Sequence, residues 1–121
     1  MPWTYHQRTG VIERAKSKFT GAYAGHGVGK NNPDMQMVRG VGPLPQGSYR
    51  IQSPRDSHRV GHYAMPLSPL AGTQTYGRTA FYIHGDNPSH AGDSSTGCIV
   101  IGRQQRQRIW TSGDHQVDVV P

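Results

Sequence analysis

The 121-residue chain is expected to fold as a single, mainly β domain with a minor α component, one short helix among many short strands. Val and Ile together occur fifteen times against three Leu, and β-branched side chains suit a pleated surface better than a helix. Sixteen Gly and nine Pro supply the many turns that short strands require. The length is that of one domain, and no repeat, charge block or linker divides it, so residues 1–121 read as one unit. With 33% apolar residues and a mean hydropathy of −0.70, its core must be compact.

The elements follow in order. Trp3–Tyr5 and Val11–Glu13 flank a Thr9-Gly10 turn and predict an opening hairpin. Phe19–Ala24 reads as a further strand. Gly25–Pro33 is too glycine-rich for a regular element, and Asp34–Val38 forms a helical turn behind Pro33. Val41–Gly47 is a rigid turn leading into a strand over Ser48–Gln52. Pro54–His62 reads as a polar connection and Tyr63–Leu67 as a short strand. Thr79–His84 is expected to be a central strand, with another at Cys98–Ile101. Arg103–Thr111 is the helix, ended near Ser112-Gly113, and Gln116–Val120 alternates as a closing strand.

Composition excludes several function classes. One cysteine makes neither an internal disulfide nor a Cys-rich zinc site. No stretch approaches the ~20 apolar residues of a membrane span, so no membrane insertion is expected. The opening MPWTYHQRTG lacks a basic segment followed by an apolar run, so secretion without a signal peptide is expected if the protein acts outside the cytoplasm. The net charge of +6, from 13 Lys+Arg against 7 Asp+Glu, favours anionic partners. The basic residues are scattered and form no nucleic-acid motif, so nucleic acid is not expected among them.

The chemistry centres on FYIHGDNPSHAGDSSTGCIVI, Phe81 to Ile101. An apolar run delivers His84 and Gly85; a polar loop follows; Ser95-Thr96-Gly97-Cys98 then opens a second apolar run. A free thiol with pKa ~8.5 is only a few per cent thiolate at pH 7, and a nearby histidine can take its proton. Gly97 lets backbone approach a substrate, and N–H groups around Cys98 can stabilise a tetrahedral oxyanion. A lone Cys is also often just a small buried hydrophobe.

Other groupings are weaker. His58 and His62 are four residues apart, but Pro54 and Gly61 argue against a helix that would aim both at a metal. His90 lies in the polar loop as a second proton carrier or a solvated side chain. Asp86 and Asp93 suit orientation of a histidine, capture of a substrate ammonium, or simple turn formation. Gly25–Lys30 lacks the full phosphate-loop pattern.

His84-Gly85, the loop and Ser95-Thr96-Gly97-Cys98 resemble the signature of L,D-transpeptidases of the YkuD-like fold, which read His, a spacer, then Ser-His-Gly-Cys. Together with MPWTYHQRTG, GVGKNNP at Gly27–Pro33, GPLPQGSYRI at Gly42–Ile51 and IHGDNP at Ile83–Pro88, the whole chain resembles the L,D-transpeptidase-related effectors delivered by bacterial type VI secretion systems. Two positions depart from the wider pattern: Thr96 replaces the His before Gly-Cys, and Val100 stands where many of those enzymes carry Arg.

The resemblance implies a compact β-sandwich or barrel with the helix after the Cys strand, and an antibacterial toxin without a cofactor or metal. Its implied targets are the tetrapeptide stems of peptidoglycan. Cys98 would attack the carbonyl before the terminal D-alanine, with His84 as base and acid, Gly97 and Cys98 as oxyanion donors and Ser95 shaping the site. Water would complete an L,D-carboxypeptidase cycle; an amine would complete L,D-transpeptidation. Tyr23, Lys30, Asn31 and Asn32, from the glycine-rich segment, are implied to hold substrate, with Asp86 and His90 beside them. A cognate immunity protein and a component of the secretion apparatus are the implied partners. The protein would be made in the cytoplasm and act in the target cell's periplasm. The competing readings are a non-catalytic wall-binding module, a cysteine hydrolase of another amide bond, and a metallohydrolase using His84, His90 and an aspartate.

Overall fold

The computed structural model describes residues 1–121. Nine strands and one helix form the framework: β1 (Trp3–His6), β2 (Val11–Arg14), β3 (Ser17–Phe19), β4 (Gly47–Ile51), β5 (Arg55–Ser57), β6 (Gly61–Pro69), β7 (Phe81–His84), β8 (Ile99–Val100), α1 (Arg103–Thr111) and β9 (Gln116–Val120). The strands join in the order β3-β2-β1-β9-β4-β6-β7-β8, with β5 paired to β6 off this path. The sheet curls into a half-barrel, a mainly β fold as the sequence predicts.

The core follows from strand alternation, which sends residues i and i+2 to one face. Trp3 and Tyr5, Tyr49 and Ile51, Met65 and Leu67, Phe81 and Ile83, and Val117 and Val119 all enter one buried cluster, joined by Ile12, Ile99 and, from the helix, Ile109. Within α1, Ile109 turns toward that cluster while most of the polar residues face solvent. No helix is long and apolar enough to cross a membrane.

The hairpin, the helix and the closing strand fall where the sequence places them, to within a residue. Four elements differ. The strand expected over Phe19–Ala24 is β3 at Ser17–Phe19; beyond it the chain crosses to the free edge of β8, where Tyr23 bridges Val100 and Tyr23 N–H donates to Val100 O at 3.1 Å. The polar connection Pro54–His62 contains β5, which folds back on the start of a longer β6; its side chains are largely exposed, so no apolar alternation marks it. β7 begins at Phe81 and lies second from the edge rather than at the centre, because β9 and β4 occupy the middle. The turn over Asp34–Val38 is a 3-10 turn at Pro33–Met35, capped by the Asn32 side chain.

Two pairs are parallel, β1 with β9 and β7 with β8. Parallel neighbours need a long connection. For β7 and β8 that connection is residues 85–98, the polar loop between His84 and Cys98.

Candidate active site

The β7–β8 register pairs Ile83 with Ile99 and His84 with Val100. Ile83 and Ile99 enter the core. By alternation, His84 and Val100 occupy the opposite face, and Cys98, the residue immediately before β8, falls on that side diagonal to His84. Both side chains are nearly inaccessible, at 3% and 6% exposure.

Each has its own polar partner. His84 Nδ1 meets Gly85 O at 2.8 Å. A carbonyl only accepts, so Nδ1 carries the proton and Nε2 keeps its lone pair. Burial pushes the imidazole pKa below its ordinary value; the Gly85 carbonyl opposes this, and the nearby Arg106 charge adds to it. Cys98 Sγ donates to Ala80 O at 3.7 Å. Burial pushes the thiol up, against the Tyr82 N–H and the charges of Arg59 and Arg78. The resting pair is therefore a neutral thiol and a neutral imidazole. They lie on the same side of the sheet, but no hydrogen bond joins them.

The loop carrying Cys98 is tied from within. Ser95 Oγ donates to Cys98 O at 2.6 Å and accepts from Gly25 N at 2.9 Å and Gly97 N at 3.0 Å. Gly97 N–H, expected as an oxyanion donor, is bonded to Ser95 Oγ in the free protein. Gly97 has φ +143°, and a Cβ there would collide with Arg78 Nη2, so a glycine here makes room for a buried arginine. Arg78 itself, 5% exposed, donates to Gln36 O, Pro43 O, Gly42 O and Thr96 O.

His84 opens onto a cleft of about 710 Å³. Five histidines line it (His26, His58, His62, His84 and His90), with Arg59, Arg103 and Arg106 and the two acids Asp86 and Asp93. A family model described as the Tlde1 domain matches residues 18–120. The chain belongs to the Tlde1 domain family. Tlde1 proteins are effectors of type VI secretion. No curated protein matches the chain, and no solved structure does.

In this Tlde1 domain the residues expected to hold substrate divide into two groups. Asp86 and His90 line the cleft. Tyr23, Lys30, Asn31 and Asn32 do not, and their polar atoms are engaged inside the protein. Tyr23 Oη donates to Asp86 Oδ1 at 2.8 Å and accepts from Ser94 N at 2.8 Å. Lys30 Nζ lies 4.3 Å above the Tyr23 ring and donates to Gly92 O at 2.6 Å. Asn31 accepts from Ala24 N, and Asn32 caps the turn at Asp34 N. In the free protein the four brace the loops behind the cleft.

Asp86 is likewise a loop anchor. It accepts from Tyr23 Oη, Ser94 Oγ and Gly92 N. Burial alone would raise its pKa, but hydrogen bonds from Ser94, Gly92, Tyr23 and Asn87 outweigh that and hold it below the ordinary carboxylate value. His26 Nδ1 pairs with Asp93 Oδ1 and ties the glycine-rich loop to the same segment. No three of the His, Cys, Asp and Glu side chains converge as metal ligands, and His84, His90 and an aspartate form no such group.

Sequence reasoning missed the arginines of the Tlde1 site. Arg106 is buried on α1, donates to His62 O and Tyr63 O at 2.8 and 3.0 Å, and lies where a Gly85 Cβ would come within 2.6 Å of Nη2. The Gly85 that follows His84 is the available signal: it admits the guanidinium that packs behind the histidine.

Proposed function

We propose that this Tlde1 domain is a cysteine L,D-carboxypeptidase and L,D-transpeptidase acting on the tetrapeptide stems of peptidoglycan. One observation carries the reading: His84 ends β7 and Cys98 immediately precedes β8, its parallel neighbour, with the imidazole oriented by Gly85 O so that Nε2 is a base. On substrate binding the thiol turns from Ala80 O and gives its proton to Nε2. Sγ then attacks the carbonyl before the terminal D-alanine, and Cys98 N–H meets the oxyanion. The C–N bond breaks as His84 returns the proton to the leaving D-alanine amine. Water, deprotonated by His84, releases the trimmed stem as a carboxylate; an amine in its place gives the exchanged stem.

The family supports delivery by a type VI apparatus and, with it, a cognate immunity protein in the producer. Removing or capping the terminal D-alanine in the target's periplasm would deprive normal cross-linking of its substrate.

The test is mass spectrometry of disaccharide-tetrapeptide muropeptides incubated with wild type and with Cys98→Ala. Loss of one D-alanine, or its replacement by an added D-amino acid, with wild type alone is the expected result. A non-catalytic wall-binding module is a second reading, favoured by the thiol's bond to Ala80 O in place of one to His84. It predicts unchanged muropeptides and toxicity that survives Cys98→Ala. A cysteine hydrolase of another amide bond predicts unchanged tetrapeptides but toxicity lost with the thiol.

A further inference from the structure

Cys98 does not line the large cleft; its thiol borders a second pocket of about 370 Å³, walled by Arg39, Gly40, Arg59, Arg78, Thr96 and Gly97 and holding no acidic residue. Arg78 is fully engaged with backbone carbonyls. Arg39 and Arg59 are exposed, and neither guanidinium has a hydrogen bond, an ion pair or an aromatic partner inside the protein; the one bond recorded for Arg59 is from its backbone N–H to Ser57 Oγ. Gly40, Arg59 and Thr96 also line the histidine-rich cleft, so the two spaces adjoin beside the thiol.

Two unpaired cationic residues lining one pocket that holds no acid favour an anion within it. Their planar, forked donors match a carboxylate. The smaller pocket has room for one small residue, whereas the cleft of about 710 Å³ accommodates a longer peptide.

We propose that Arg39 and Arg59 hold the free α-carboxylate of the residue that leaves when Cys98 is acylated, restricting the domain to stems that end one residue beyond the scissile bond. The proposal rests on the acyl-transfer reading above and names what measures the substrate's end. A terminal residue anchored by its carboxylate leaves its amide carbonyl at Sγ. A terminal residue whose carboxyl is already in an amide presents no charge to the two arginines.

The test separates binding from turnover. Cys98→Ala protein is titrated with disaccharide-tetrapeptide carrying either a free D-alanine carboxylate or the corresponding carboxamide. Charge-assisted hydrogen bonds of this kind predict about 10- to 100-fold weaker binding of the amide. In Cys98→Ala carrying R39Q and R59Q the two ligands should bind alike. A Lys16→Gln, Lys18→Gln control removes the same charge from the far edge of the sheet and should keep the preference, which separates a local site from the field of a cationic protein. Equal binding of both ligands to the Arg-bearing protein overturns the proposal, as does a preference that survives R39Q/R59Q. Wild-type turnover of the tetrapeptide, followed in parallel, reports on the acyl-transfer reading alone. Inactivity there with the carboxylate preference intact would remove the enzyme and keep the anion site.

Discussion

The Ser95 hydroxyl donates to the carbonyl of Cys98 at 2.6 Å and so fixes the backbone of the nucleophile candidate from three residues away. The same oxygen accepts two buried N–H groups, from Gly25 and Gly97. Ser95→Ala leaves both donors and the Cys98 carbonyl without that partner. We expect a loss of about 2–4 kcal/mol in urea unfolding.

Arg78 is a positioning residue for the same loop. Its side chain joins the 36–43 segment to Thr96 through four carbonyls. Arg78→Met keeps the volume and strands those acceptors, at a cost of at least about 3 kcal/mol. Gly97→Ala forces both an unfavourable φ and a collision with the guanidinium. Its melting temperature should fall in the Arg78 wild-type background, and by less in Arg78→Met, where the collision is gone. Equal losses in the two backgrounds would show that the two sites do not interact.

The histidine gives a pH signature. The unfolded chain's imidazole titrates near its ordinary value of ~6.5, and His84 in the fold titrates lower. Its contribution to stability is intact above ~6.5. It is lost as pH falls through that value toward the folded pKa, because there the unfolded state binds more protons. Urea midpoints measured from pH 8 to 5 should therefore fall less steeply in His84→Gln than in wild type. The acid limb of muropeptide turnover should lie below ~6.5.

The thiol titrates in the other direction. Burial raises the Cys98 pKa, so its contribution to stability weakens as pH rises through the unfolded thiol's value of ~8.5. Iodoacetamide at pH 8 should label native protein at least about 10-fold more slowly than protein in urea. Comparable rates would mean an accessible thiolate.

The loop behind the cleft is braced by Asp86. Asp86→Asn weakens its acceptance from Tyr23 Oη, Ser94 Oγ and Gly92 N. Amide exchange at Gly92 and Ser94 should quicken, with a stability loss of about 1 kcal/mol, while His84 keeps its bond to Gly85 O.

The fold class was legible because apolar residues alternate in short runs between turn residues: Trp3 and Tyr5, Val117 and Val119. β5 was not, because Arg55–Ser57 is polar and pairs only at the rim. His84 and Cys98 stood out because each adjoins an apolar run, His84 as the last residue of β7 and Cys98 as the residue just before β8. The loop-bracing bonds of Tyr23, Lys30, Asn31 and Asn32 were not legible, because a residue that braces a loop and one that grips a ligand have the same polar composition. The buried arginines were invisible for a related reason. Arg78 and Arg106 bind main-chain carbonyls, and a carbonyl leaves no letter in the sequence.

The position of β9 has a consequence for how the molecule comes into being. Gln116–Val120 follow every other strand along the chain, yet they sit between β1 and β4 in the middle of the sheet. A nascent chain still lacking them on the ribosome has its opening hairpin and its His–Cys half with nothing between. Such contacts, distant in sequence, form slowly. Synthesis must pass residue 120 before β9 can join the two halves.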